Sequence, residues 1–123
     1  MKGFVVQELQ GTDVVAFSVL DKYLNYDISE PLKAQLREAV AEWQSRGCRH
    51  FVLDLGKVSI VDSCGVGVLI SLHNTVKASG GELFLVRLTP FIHKILRMMH
   101  LESYFQVGET EDEVLQEIGV RKA

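Results

Sequence analysis

The chain has 123 residues, 47% apolar and 24% charged, which is enough material for one well-filled core and therefore for one domain. A formal net charge of −3 from 13 basic and 16 acidic residues leaves no basic stretch able to neutralise a run of phosphates, which argues against a nucleic-acid partner. The longest apolar runs fall well short of the roughly 18–20 residues that cross a bilayer. "MKGFVVQELQ" also reaches acidic and polar residues too early for a signal peptide, so membrane attachment is not expected and the cytoplasm is the expected compartment.

In chain order, "FVVQEL" (4–9) and "DVVAFSVL" (13–20) are rich in β-branched and aromatic residues and are separated by Gly11, which predicts two paired strands. The stretch "SEPLKAQLREAVAEWQSRG" predicts an amphipathic helix capped by Ser29, with Pro31 in its first turn. Its apolar stripe is Leu32, Leu36, Val40 and Trp43, and it stops at Gly47. "HFVLDL" (50–55) and "VSIV" (58–61) have the apolar, β-rich character of a strand buried on both faces. A second helix is expected over roughly 65–79, with Val66, Leu69, Ile70, His73 and Val76 on one stripe and Gly80-Gly81 ending it. "ELFLV" (82–86) is a further buried strand. Thr89 and Pro90 open a third helix, with Ile92, Ile95, Leu96 and Met99 at helical spacing. After the short extended piece "YFQV", residues 110–113 form a capping box for a final helix carrying Val114, Leu115 and Ile118. The order ββαβαβαβα predicts a single α/β domain with a mostly parallel or mixed sheet and helices packed against it.

Cys48 and Cys64 lack CxxC spacing, and no histidine pairing marks a zinc site, so both are read as reduced. Repeats, low-complexity tracts and linkers are absent, and a single domain spanning residues 1–123 is expected.

The stretch that carries chemistry is "SIVDSCGVGVLI" (59–70), where Asp62, Ser63 and Cys64 stand between a strand and a helix. Asp62 and Ser63 compete for one N-cap position, while Gly65 and Gly67 keep the surrounding backbone bare, as either close helix packing or close approach by another macromolecule requires. A hydrolase elbow needs glycine two residues before and two after the serine, but Val61 stands at the first place, and His50, His73, His93 and His100 have no recognisable carboxylate partner. No catalytic residue is therefore assigned, and the chain is not expected to be an enzyme. His73 reads as a satisfied core histidine and Cys64 as a small buried residue. His93 and His100, seven positions apart, lack a third metal ligand. "Gly65-Val66-Gly67" lacks the third glycine or the Gly-Lys-Ser/Thr of a nucleotide loop, so no cofactor is expected. Arg46, Arg49 and His50 read as a solvated helix end that suits the helix dipole.

"FVLDLGKVSIVDSCGVGVLISLHNTVKASGGELFLVRLTPFIHKILRMMHL" resembles the STAS domain of bacterial anti-sigma-factor antagonists, in its strand, Asp-Ser-x-Gly turn, helix, Gly-Gly stop, strand and Pro-initiated helix. The resemblance implies that Ser63 is phosphorylated by an anti-sigma factor with ATP-dependent serine kinase activity. It also implies reversal by a metal-dependent serine phosphatase. The unmodified form would bind the anti-sigma factor and free a sigma factor for transcription. Asp62, Ser63, Cys64, Gly65, Val66 and Asn25 are the expected docking residues of a monomer or weak dimer. Two places depart from the family pattern: Cys64 replaces a common second serine or threonine, and "KYLN" puts Lys22 and Asn25 where Gly-x-Leu-Asp is usual. Lys22 and Asn25 leave open an alternative, a STAS scaffold or ligand-binding module in a stress-signalling or chemosensory assembly without a sigma-factor partner.

Overall fold

The computed structural model describes residues 3–9 and 13–122, with side-chain surroundings given as far as Gly119. The turn expected around Gly11 lies outside the described residues. Two antiparallel strands come first, β1 (Phe4–Leu9) and β2 (Val14–Val19), in the register Phe4 opposite Val19. Then follow β3 (Tyr23–Leu24), α1 (Tyr26–Ser45), β4 (His50–Asp54), β5 (Ile60–Val61), α2 (Ser63–Ala78), β6 (Glu82–Val86), α3 (Pro90–Met98), β7 (Gln106–Gly108) and α4 (Glu111–Lys122). The main sheet runs β1-β2-β4-β6-β7, with every pairing after the first hairpin parallel. It is the single α/β domain with a mixed sheet that the alternating pattern predicts.

Alternation along the strands divides the core in two. Val15, Phe17, Phe51, Leu53, Leu83 and Leu85 face the layer formed by α1, α2 and α3, while Val14, Ala16, Val52, Phe84 and Val86 face Val114 and Ile118 of α4. Phe17 organises the larger half: its ring lies edge-on to Phe4 at 5.5 Å and stacks near-parallel on Phe51 at 6.0 Å. On the other face α4 is tied to the sheet by Arg87, whose Nε donates to Asp54 Oδ2 (3.2 Å) and whose Nη2 donates to Glu111 Oε2 (2.6 Å). No helix among the described residues is long and apolar enough to cross a membrane.

Several local expectations are corrected. Helix α1 begins at Tyr26, not at Ser29; Asn25 holds the cap position, and Ser29 is buried inside the first turns with its hydroxyl donating back to Asn25 O at 2.6 Å. That local bond satisfies the hydroxyl without a cap, and Pro31 sits within the helix, where it has no N–H to donate to Asp27 O. The stretch 58–61 contributes only Ile60 and Val61, which pair not with the main sheet but with the unforeseen β3, Tyr23 opposite Ile60 and Leu24 opposite Val61. Ile60 is exposed rather than buried, because this two-strand ladder lies beside the main sheet. Helix α3 ends before Met99, which is exposed, and His100 lies past the helix at φ 59°, so His93 and His100 share no helix face.

The candidate phosphoacceptor turn

Asp62 wins the competition for the cap. Its backbone is extended (φ −102°, ψ −174°) and its Oδ1 accepts from Gly65 N at 2.9 Å, satisfying one of the free amides at the start of α2. Its second oxygen, Oδ2, accepts from Tyr26 N at 3.1 Å, the first amide of α1. One carboxylate therefore joins the starts of two helices, an arrangement that the positive ends of both helix dipoles favour. Ser63 becomes the first residue of α2, exposed, and among the described residues no hydrogen bond occupies its hydroxyl. The N-cap role that a serine at this junction could have taken is already filled.

The two glycines of the turn have different causes. A Cβ on Gly65 would lie 2.2 Å from Leu24 O, a distance no side chain tolerates, so Gly65 is where α2 packs against the end of β3. The same Leu24 O accepts from Asp62 N at 3.2 Å. Gly65 is buried, and Val66 beside it is buried in the larger core, so both support the turn from beneath. A Cβ on Gly67 would meet nothing within 4 Å. The accessible surface here is formed by Asp62, Ser63, half-buried Cys64 and Gly67. Asn25, directly before α1, makes no side-chain cap bond, and among the described residues its buried Oδ1 has no partner.

The sequence did not single out what borders this turn. Tyr26 is 76% exposed, and Tyr23 and Ile60, paired across the small ladder, are also exposed. Between the starts of α1 and α2 runs a groove of about 180 Å³ lined by Tyr26, Ser29, Glu30, Lys33, Cys64 and Gly67. The available signal was "YLNY" (23–26), where two tyrosines flank a cap position and only Leu24 is needed by the core.

The histidines lie elsewhere. His50 has the carboxylate partners that the sequence did not reveal: Nδ1 is 3.2 Å from Asp13 Oδ2 and Nε2 is 3.4 Å from Glu82 Oε1. These three residues stand where the parallel strands β2, β4 and β6 begin, at the opposite end of those strands from Asp54, after which the chain runs on to β5 and α2. His50 is thus part of a polar tie across three strands rather than a solvated helix end, and it is remote from Ser63. His73 is half-buried against Tyr104 (4.5 Å) and Phe105 (5.5 Å); its buried Nδ1 has no partner among the described residues, so it is not the satisfied core histidine expected. Cys48 is buried and free, its Sγ donating to Asp13 O at 3.0 Å, and burial pushes its thiol pKa up; Cys64 is free and only half-buried. Among the described residues no three His, Cys, Asp or Glu side chains cluster as a metal site.

Fold and turn together define a small α/β domain that presents a free serine hydroxyl on a rigid helix start. Residues 7–114 match the STAS domain, and the chain belongs to that family. It is 30% identical to the anti-sigma F factor antagonist of Paenibacillus polymyxa over 79% of this chain and 80% of that protein. Among solved structures, an anti-sigma-factor antagonist (STAS) domain protein from Planctomyces limnophilus shares the fold at a TM-score of 0.80, with 19% identity over 95% of this chain and 98% of that one. The Bacillus cell fate determinant SpoIIAA in its phosphorylated form shares it at a TM-score of 0.64, with 20% identity over 94% and 98%.

Proposed function

We propose that this chain is a cytoplasmic anti-sigma-factor antagonist controlled by phosphorylation of Ser63. Its unmodified form binds an anti-sigma factor that is itself a serine kinase, and so releases a sigma factor. The observation that supports this reading most strongly is the exposed Ser63 hydroxyl, unoccupied at the first position of α2 because Asp62 has taken the cap. Its family relation to an anti-sigma F factor antagonist supports the choice of partner.

In the transfer step the Ser63 oxygen bonds to the γ-phosphorus of ATP, ADP leaves, and the hydroxyl proton passes to a base. Each oxygen of Asp62 accepts a backbone amide, which holds the carboxylate in its capping role, and we assign the base to the kinase. The product carries about −1.5 to −2 extra charges. At a helix start the dipole favours that charge by only about 0.3–1 kcal/mol, so the fold survives. A partner packed over the turn, by contrast, must desolvate the dianion beside the fixed Asp62 carboxylate, which costs far more unless a cation meets it. A metal-dependent serine phosphatase resets the switch.

The test is phosphopeptide mapping after incubation with the cognate kinase and ATP. Phosphate on the tryptic fragment Val58–Lys77 at Ser63 is expected; phosphate only at Ser59, Ser71 or Thr75 would overturn the assignment. A second reading, a STAS scaffold in another signalling assembly, is favoured by Asn25, whose neutral side chain with its unpartnered Oδ1 stands where the family usually has an aspartate. Co-purification of a histidine-kinase-like ATPase that is lost on Ser63→Asp supports the first reading over the second.

A further inference from the structure

Among the described residues, three glycines lie inside helices, at positions 65, 67 and 119, and a helix-interior glycine weakens its helix relative to alanine. Gly65 is required by the carbonyl of Leu24. Gly67 is not required by the fold: an added Cβ meets nothing, and the residue is neither at a helix end nor in a left-handed conformation. Two further observations give it a place. It lines the groove of about 180 Å³ between α1 and α2, with Tyr26, Lys33 and Cys64. It also lies four residues after Ser63, on the same face of α2 and roughly 6 Å further along the helix axis.

From these we propose that Gly67 is a close-approach site for the phosphorylating partner, and that a backbone segment of that kinase lies in the α1–α2 groove directly over it. The proposal rests on Ser63 being the phosphoacceptor. Phosphoryl transfer brings the reacting atoms to about 3–3.5 Å, so the kinase must close onto α2 at Ser63, and a surface that does so overlies the next residue on that face. A side chain at position 67 would hold the partner away by its own depth. Glycine lets two backbones meet, and the exposed Tyr26 ring supplies an apolar wall at one side of the groove. Gly67 weakens α2, and the neighbour it accommodates belongs to another molecule.

The test compares Gly67→Ala, Gly67→Leu and, as a control on the far helix, Gly119→Ala in the full chain. It measures Tm, affinity for the kinase that phosphorylates the wild type, and the rate of Ser63 phosphorylation with radiolabelled ATP. The expected result for Gly67→Ala is a Tm higher by about 2–5 °C, from the gain in helix propensity. Affinity should nonetheless fall by at least about tenfold, and further for Gly67→Leu, with slower phosphorylation, as overpacking at a tight contact predicts. Gly119→Ala should change stability alone. If the Gly67 variants bind and are phosphorylated like the wild type, the groove proposal is wrong while the role of Ser63 stands. Variants that fail to fold also overturn it, because Gly67 would then serve the domain itself. If no such kinase binds or modifies the wild type, this proposal and the proposed function fall together.

Discussion

Asp62 and Tyr26 are 36 positions apart, yet the carboxylate of one receives the backbone N–H of the other at 3.1 Å. Because the other oxygen of Asp62, Oδ1, caps α2, the position of Ser63 is set by two helices and not by a loop alone. A serine held this way has one fixed geometry, and the proposed phosphate on it would have a fixed anionic neighbour in Asp62.

Removing that tie should be felt in stability. Asp62→Ala loses the cap and the cross-helix bond, and a destabilisation of about 1–2 kcal/mol is expected by urea denaturation. Hydrogen exchange at the Tyr26 amide should accelerate in the same variant. An unchanged denaturation midpoint with unchanged exchange would show that the bridge contributes nothing in solution.

Gly65 and Gly67 should respond in opposite directions although one residue separates them. Gly65→Ala drives a methyl into Leu24 O, so α2 must shift or β3 must move, at an expected cost of at least about 1–3 kcal/mol. The amide of Val66, which donates to Asp62 O at 3.0 Å, should lose protection with it. A Gly65→Ala variant as stable as the wild type would contradict the packing described.

His73 is expected to make stability depend on pH. Burial, with Lys77 one turn further along α2 as the second cause, lowers its pKa below the ordinary value of 6.5. The groups packed on it are Tyr104, held by Asn74 through its hydroxyl, and Phe105. A histidine with a depressed native pKa binds its proton more tightly in the unfolded chain. Its contribution is therefore complete above 6.5 and is lost as the pH falls through the unfolded value towards the native one. His73→Phe, which keeps an aromatic ring in this cluster, should flatten the decline in Tm below that pH. If wild type and variant fall in parallel, His73 is not the group responsible.

The sequence was most informative where local chemistry repeats. The β-rich strand segments, the Thr89-Pro90 helix start and the α1 positions Leu32, Leu36 and Val40 were legible because each depends on residues close together in the chain. Leu32 and Leu36 show the pattern plainly, being buried where the helical spacing places them. The α2 stripe was read only in part, since Val68 and Leu72 are buried while Ile70 and His73 are half-buried. Asp62 and Ser63 could be recognised as rivals for one cap, but not ranked, because the choice depends on the Tyr26 amide far away in sequence. The same limit hid β3, two residues long and stabilised by its ladder with β5, and with it the true start of α1. It also made two glycines look equivalent, since only Leu24 O distinguishes them. The pairing of His50 with Asp13 and Glu82 arises from strand register, which a single sequence does not display.

The most direct measurement compares unmodified and Ser63-phosphorylated chain, side by side, for affinity to the cognate anti-sigma factor and for thermal stability. The account predicts a loss of binding of at least about a hundredfold on phosphorylation, with a Tm that moves by no more than about 5 °C. Equal affinity of the two forms, or a phosphorylated chain that no longer folds, would contradict it.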